Sequence, residues 1–165
     1  MPSFDVSSEI NWQNMDDAIN QTLKEVKNRF DFKGIKTEIV MDQKAKTVKL
    51  ECSEAYILDA VKEVFHQKLT KRGISILSLD YQGQESASGS GARVTAIIAA
   101  GISKEKGKEI GKILKENMKK INSQIQDEQV RVIGKQRDDL QDAMALLKEH
   151  EVKIGVPLQF GNFRD

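Results

Sequence analysis

The sequence predicts an α+β protein made of two βαββαβ sandwiches, each an antiparallel four-stranded sheet covered on one face by two helices. Three observations lead there. Strand and helix signals fall in the same order in both halves of the chain. Val48-Lys49-Leu50 followed by Asp59-Ala60-Val61 is echoed by Val130-Arg131-Val132 followed by Asp142-Ala143-Met144. One composition shift, the small polar run Gln82-Gly83-Gln84-Glu85-Ser86-Ala87-Ser88-Gly89-Ser90-Gly91, divides the chain near its middle. Four strands and two helices in that order make a ferredoxin-like (ribonucleoprotein-like) sandwich. The expected domains are therefore 1–82 and 92–165, with 83–91 a flexible linker and the terminal strands able to exchange between sheets.

In chain order, Ser3 to Ser8 alternates like a short strand. Asn11 opens a helix whose apolar residues Trp12, Met15, Ile19, Leu23, Val26 and Phe30 recur every three or four positions, one buried stripe. Ile35–Met41 and Lys46–Cys52 are β-branched, alternating runs joined by Asp42-Gln43-Lys44-Ala45, a hairpin pattern. Ser53 is placed to cap a helix that buries Ile57, Val61, Val64 and Phe65, carries Lys68, Lys71 and Arg72 in its last turn and stops at Gly73. Ile74–Leu79 reads as a strand. The second half follows with a strand at Arg93–Ala99, a Ser103-capped helix to Met118, strands at Ser123–Gln126 and Gln129–Ile133, a helix at Arg137–Lys148 and a strand at Leu158–Phe160.

With 39% hydrophobic and 31% charged residues, the 165-residue chain can bury a core, which excludes disorder and collagen. Its longest apolar stretch, Val94–Ala100, is too short to span a membrane, and Met1-Pro2-Ser3-Phe4-Asp5 is no signal peptide, so a cytoplasmic location is expected. A single cysteine, Cys52, allows neither an internal disulfide nor a cysteine metal cage, so no cofactor is expected. A net charge of +1 argues against general polyanion binding. Divided after residue 88, the halves carry −2 and +3.

Several local strings resemble the YajQ family. They are Pro2-Ser3-Phe4-Asp5, Arg29-Phe30-Asp31-Phe32-Lys33-Gly34, Lys71-Arg72-Gly73-Ile74, Gly134-Lys135 with Arg137-Asp138-Asp139-Leu140-Gln141, and Gln159-Phe160 with Asn162-Phe163-Arg164-Asp165. They occur in the family's order and span the whole chain. The resemblance implies two ribonucleoprotein-like domains that bind nucleotides or RNA. It also implies an alternative, a receptor for cyclic di-GMP that acts through a transcription-factor partner. Gly107, Gly111 and the Gly/Ser-rich segment depart from the family pattern.

The residues themselves show no catalytic constellation, because His66, His150 and Cys52 share no spacing that links them. Asp138, Asp139 and Asp142 are the only carboxylate cluster a magnesium-dependent enzyme would find, and a non-enzymatic protein is expected. Gly101–Glu109 imitates a phosphate loop, but it has five residues between its glycines and a glutamate where the metal-binding hydroxyl belongs. Lys104, Lys108, Lys112, Lys115 and Lys119 fall on one helical stripe, bordered by Glu105, Glu109 and Glu116. Glycines 107 and 111 inside that helix call for close packing or ligand approach. Alternation turns Thr47, Lys49 and Glu51, and Arg131 and Ile133, toward the open sheet faces, with no ring on which to stack a base. Candidate nucleotide-binding residues lie elsewhere. Arg29 and Lys33 flank Phe30 and Phe32; Asn162, Phe163 and Arg164 form a second ring-and-cation cluster; Lys135 and Arg137 sit at a strand-to-helix junction suited to phosphate. A single cleft uniting the Arg29 turn with the C-terminal segment is the expected site.

Overall fold

A computed structural model describes residues 1–165. In chain order the elements are β1 (Ser3–Ser7), α1 (Trp12–Asn28), β2 (Thr37–Asp42), β3 (Thr47–Cys52), α2 (Leu58–Lys71), β4 (Leu79–Tyr81), β5 (Glu85–Ser86) and β6 (Ala92–Ile98). They continue with α3 (Lys104–Asn117), β7 (Asn122–Gln126), β8 (Gln129–Ile133), α4 (Arg137–Glu149), α5 (Glu151–Ile154) and β9 (Gln159–Arg164). The chain forms two compact units, one of Ile10–Ile98 and the other of Met1–Glu9 with Ala99–Asp165.

Both units carry antiparallel sheets, as the α+β, ferredoxin-like reading expects. The Ile10–Ile98 sheet has the order β2-β3-β6-β4, with β5 also paired to β6, and the other has the order β7-β8-β1-β9. Each is the βαββαβ arrangement with its first strand supplied by the other half of the chain. Tyr81 pairs with Ala96, and Glu85 with Arg93, so β6 reaches β4 through a short local connection. β1 instead runs between β8 and β9, where Phe4 and Val6 are fully buried.

The division at 83–91 is accordingly not where the chain separates into units. The small polar run is tied down: Gln82 N–H donates to Thr95, Ala87 N–H to Gly91, and Ser90 Oγ to Glu54. Counted by unit, Ile10–Ile98 has 13 basic and 12 acidic residues and the other unit 13 of each, so the charge contrast between the halves vanishes.

Local signals place most helix ends. Asn11 Oδ1 accepts from Asn14 N–H at 3.0 Å, and Ser103 Oγ from Lys106 N–H at 3.2 Å. At the end of α2, Gly73 takes φ +77°, and the bonds Gly73 N–H to Thr70 and Ile74 N–H to Leu69 complete a Schellman cap. Ser53 does not cap α2. Its Oγ accepts from Lys36 N–H, and a 3₁₀ turn at Ala55–Ile57 precedes the helix. A second 3₁₀ turn, Ile76–Ser78, takes most of the run expected as a strand and leaves β4 with three residues. Of the glycines of α3, Gly107 serves close packing against Ile125 and Val130, and Gly111 faces only one hydroxyl. A Cβ on Gly107 would lie 3.1 Å from Ile125 of β7, and one on Gly111 would lie 3.1 Å from Ser123 Oγ.

Candidate functional site

The site is built at the edge of the β7-β8-β1-β9 sheet. Asp5 of β1 faces Gly161 and Ser3 faces Arg164. Between those pairs β1 has one residue, Phe4, and β9 has two, Asn162 and Phe163, which is a β-bulge. Asn162 adopts the left-handed conformation at φ 54°, which asparagine tolerates better than most side chains. Residues three apart in a regular strand point to opposite faces. The extra residue instead puts Phe160 and Phe163 on the same face, where both rings meet Phe4, at 5.6 Å edge-on and at 6.1 Å tilted.

Phe163 thereby borders a cavity of about 480 Å³ between the end of β9 and the start of α4. Leu140, Met144 and Phe163 supply its apolar lining, Arg137 and Arg164 its cations, and Gln141 an amide. Phe163 is 62% exposed, so its ring is open to a ligand. Arg137 opens α4, and Gln136, at the cap position, gives no side-chain bond to the leading N–H groups. The guanidinium of Arg137 is held by Asp165, whose Oδ1 accepts from Nε at 2.8 Å and also from Nη2. This pair is largely exposed, so it stabilises little and can exchange partners.

Behind the bulge, Asp5 accepts from Arg131 Nε at 3.0 Å and from Asn162 Nδ2 at 2.7 Å. Burial alone raises the Asp5 pKa. The hydrogen bonds from Arg131 and Asn162 and the charges of Arg131 and Arg164 outweigh burial and hold the carboxyl below its ordinary value.

Of the residues singled out in the sequence, Arg137, Phe163 and Arg164 border this one cavity. Asn162 is engaged by Asp5 rather than aimed at a ligand. Lys135 is exposed just ahead of α4 and is not part of the lining. Arg29 and Lys33 belong to the other unit, so the cleft expected to unite them with the C-terminal segment is not formed within either unit. Arg29 donates to both oxygens of Asp31, at 3.1 and 2.8 Å, and lies 4.7 Å over the Phe32 ring. It also borders a groove with Lys24, Lys68 and Lys71, in which Lys68 is paired to Glu25 at 2.9 Å. Lys104, Lys108, Lys112 and Lys115 are exposed on α3. That helix ends at Asn117, which leaves Lys119 beyond the stripe. Gln141 and Met144 escape the sequence reading, although Arg137, Gln141 and Met144 stand at helical spacing on one face of α4, a signal open to view. Asp165 and Asp5 carry no such signal.

The open sheet faces have the expected character. Val48, Leu50, Cys52, Val130 and Val132 are buried, and Thr47, Lys49, Glu51, Arg131 and Ile133 alternate with them. No group of three His, Cys, Asp or Glu side chains is placed to hold a metal ion. Cys52 is buried against Thr37, and burial pushes its thiol pKa up, which makes it a poor nucleophile. His66 Nε2 lies 2.7 Å from the Tyr81 hydroxyl, and burial lowers its pKa. No helix is long and apolar enough to cross a membrane.

Residues 2–164 match the family model described as nucleotide-binding protein YajQ-like. The chain belongs to the YajQ family. A nucleotide-binding protein of Geotalea uraniireducens is 49% identical over 164 residues, covering 99% of each chain. A nucleotide-binding protein of Trichlorobacter lovleyi is 49% identical over 165 residues and the whole of both chains. One from Magnetococcus marinus is 43% identical, again over the whole of both. The resemblance drawn from the local strings is thus borne out from end to end, and Pro2 and Ser3 from the first string, Arg137, Leu140 and Gln141 from the fourth, and Phe163, Arg164 and Asp165 from the last line the cavity of β9 and α4.

Proposed function

We propose that this YajQ-family chain binds a nucleotide, without chemical turnover, in the cavity between β9 and α4. The observation that carries the reading is that an exposed ring, Phe163, and the cation Arg137 border one cavity of about 480 Å³. A nucleotide needs a flat apolar surface for its base, a cation for its phosphate and a polar group for the base edge, and Phe163, Arg137 and Gln141 are these three. The phosphate takes the place of the Asp165 carboxylate on Arg137, one charge-assisted fork replacing another. The names of the relatives support the ligand class. The lining residues supply ring, cation and amide groups and no nucleophile paired with a base, which supports binding without turnover.

A mononucleotide and a single-stranded RNA end present the same base and phosphate, and RNA binding enters this reading only through such an end, because the open sheet faces lack stacking rings. Cyclic di-GMP, passed on to a transcription-factor partner, would have to find a platform for its second base beside Phe163.

Calorimetric titration with ATP, GTP, cyclic di-GMP and mixed tRNA, followed by chromatography for products, tests the proposal. Binding of a mononucleotide with no product is expected. Arg137→Ala or Arg164→Ala should weaken it by about 1.5 to 3 kcal/mol, the scale of a lost charge-assisted bond. Phe163→Ala should cost about 1 to 3 kcal/mol in stacking. Binding unchanged in all three variants would place the ligand elsewhere, and product formation would make the protein an enzyme.

A further inference from the structure

Resting on that reading of the cavity, we infer that Asp5, which does not line it, is the residue that positions Phe163 for the ligand. The two side chains leave opposite faces of the sheet. Asp5 alternates with the buried Phe4 and Val6 along β1 and pairs with Arg131 of β8, while Phe163 lies on the Phe4 side. Asn162 connects them. Its amide Nδ2 donates to Asp5 Oδ2 at 2.7 Å, and its backbone is the left-handed residue of the bulge.

Without that left-handed residue, β9 would pair regularly with β1, and the side chain at 163 would leave the face that carries Phe160. A non-glycine side chain meets a steric cost in this conformation, so it persists only where neighbouring contacts hold it. The bond to Asp5 is such a contact. Asp5 is only 8% exposed and is fixed from its other side by Arg131 at 3.0 Å, so it is a rigid anchor for the amide. The Asp5–Asn162 bond is therefore the link between a carboxylate on one face and the stacking ring on the other.

Two readouts on the full chain test this. One is the proton NMR contact between the Phe4 and Phe163 rings, and the other is calorimetric binding of ATP. Asp5→Ala should abolish the ring contact and weaken ATP by about tenfold, the scale of one lost hydrogen bond to a charged group. Asn162→Ala, which leaves the Asp5–Arg131 pair intact, should do the same and answers the question should Asp5→Ala fail to fold. The double variant Asp5→Ala/Asn162→Gly should recover both readouts, because glycine adopts the left-handed conformation unaided. A folded Asp5→Ala or Asn162→Ala chain that keeps the ring contact overturns the inference, and so does a folded double variant that fails to recover it. The ring contact decides the positioning role by itself, whereas absence of ATP binding to the unmodified chain would overturn the proposed function and leave that role standing.

Discussion

The Asp5 carboxylate is nearly buried, yet its pKa lies below the ordinary value, because the bonds from Arg131 and Asn162 and the charge of Arg164 outweigh burial. A depressed folded-state pKa means that the unfolded chain takes up the proton first. The stabilisation is complete above the unfolded value of about 3.9 and is lost as pH falls through the lower folded value. Thermal unfolding followed from pH 7 down to pH 3 should show Asp5→Ala well below the unmodified protein at neutral pH and the gap closing at the acid end. A gap that stays constant would mean that the effect of Asp5 is packing and not charge. Little of this is legible in the sequence. Asp5, Arg131 and Asn162 are brought together across three strands, and nothing in their local surroundings announces the pairing. The αL residue of a bulge is usually sought at glycine, and Gly161 stands beside Asn162 to mislead.

At the scale of elements, the helix stripes, the alternation of β3 and β8 and the caps at Asn11, Ser103 and Gly73 are legible because each depends on residues within one or two turns of one another. Ser53 misleads for the opposite reason, since its hydroxyl has a partner across the sheet at Lys36 that competes with capping. The glycines divide by what a side chain would meet. On Gly111 a Cβ meets only the Ser123 hydroxyl, which can rotate away, so Gly111→Ala should stabilise α3 by about 0.5 to 1 kcal/mol through helix propensity. On Gly91 it meets the backbone carbonyl of Cys52 at 2.7 Å, which cannot turn aside, so Gly91→Ala should destabilise. Denaturant midpoints check both, and a stabilising Gly91→Ala would contradict the tight β5–β6 turn.

For the molecule as a whole, the consequential feature is that β1 and β6 each complete the sheet of the other half. The βαββαβ repeat is readable from periodicity, but the sheet each central strand joins is not, because β1 and β6 both alternate suitably for either sheet. The exchange makes a prediction about where damage travels. Phe4 is fully buried in the unit of Ala99–Asp165, so Phe4→Ala should cost about 3 to 5 kcal/mol and reduce amide hydrogen-exchange protection in β8 and β9 while sparing β3. Loss of protection centred on β3 would restore the division at residues 83–91. The exchange also bears on function, since it sets Phe4 and Asp5 of the N-terminal strand beside the C-terminal Phe163 and Arg164. The measurement that tests the nucleotide proposal most directly is a backbone NMR titration of the full chain with ATP. Shifts should concentrate at Arg137, Gln141, Met144 and residues 162–165. Shifts confined to the groove of Lys24, Arg29, Lys68 and Lys71, or absent altogether at millimolar ATP, would contradict it.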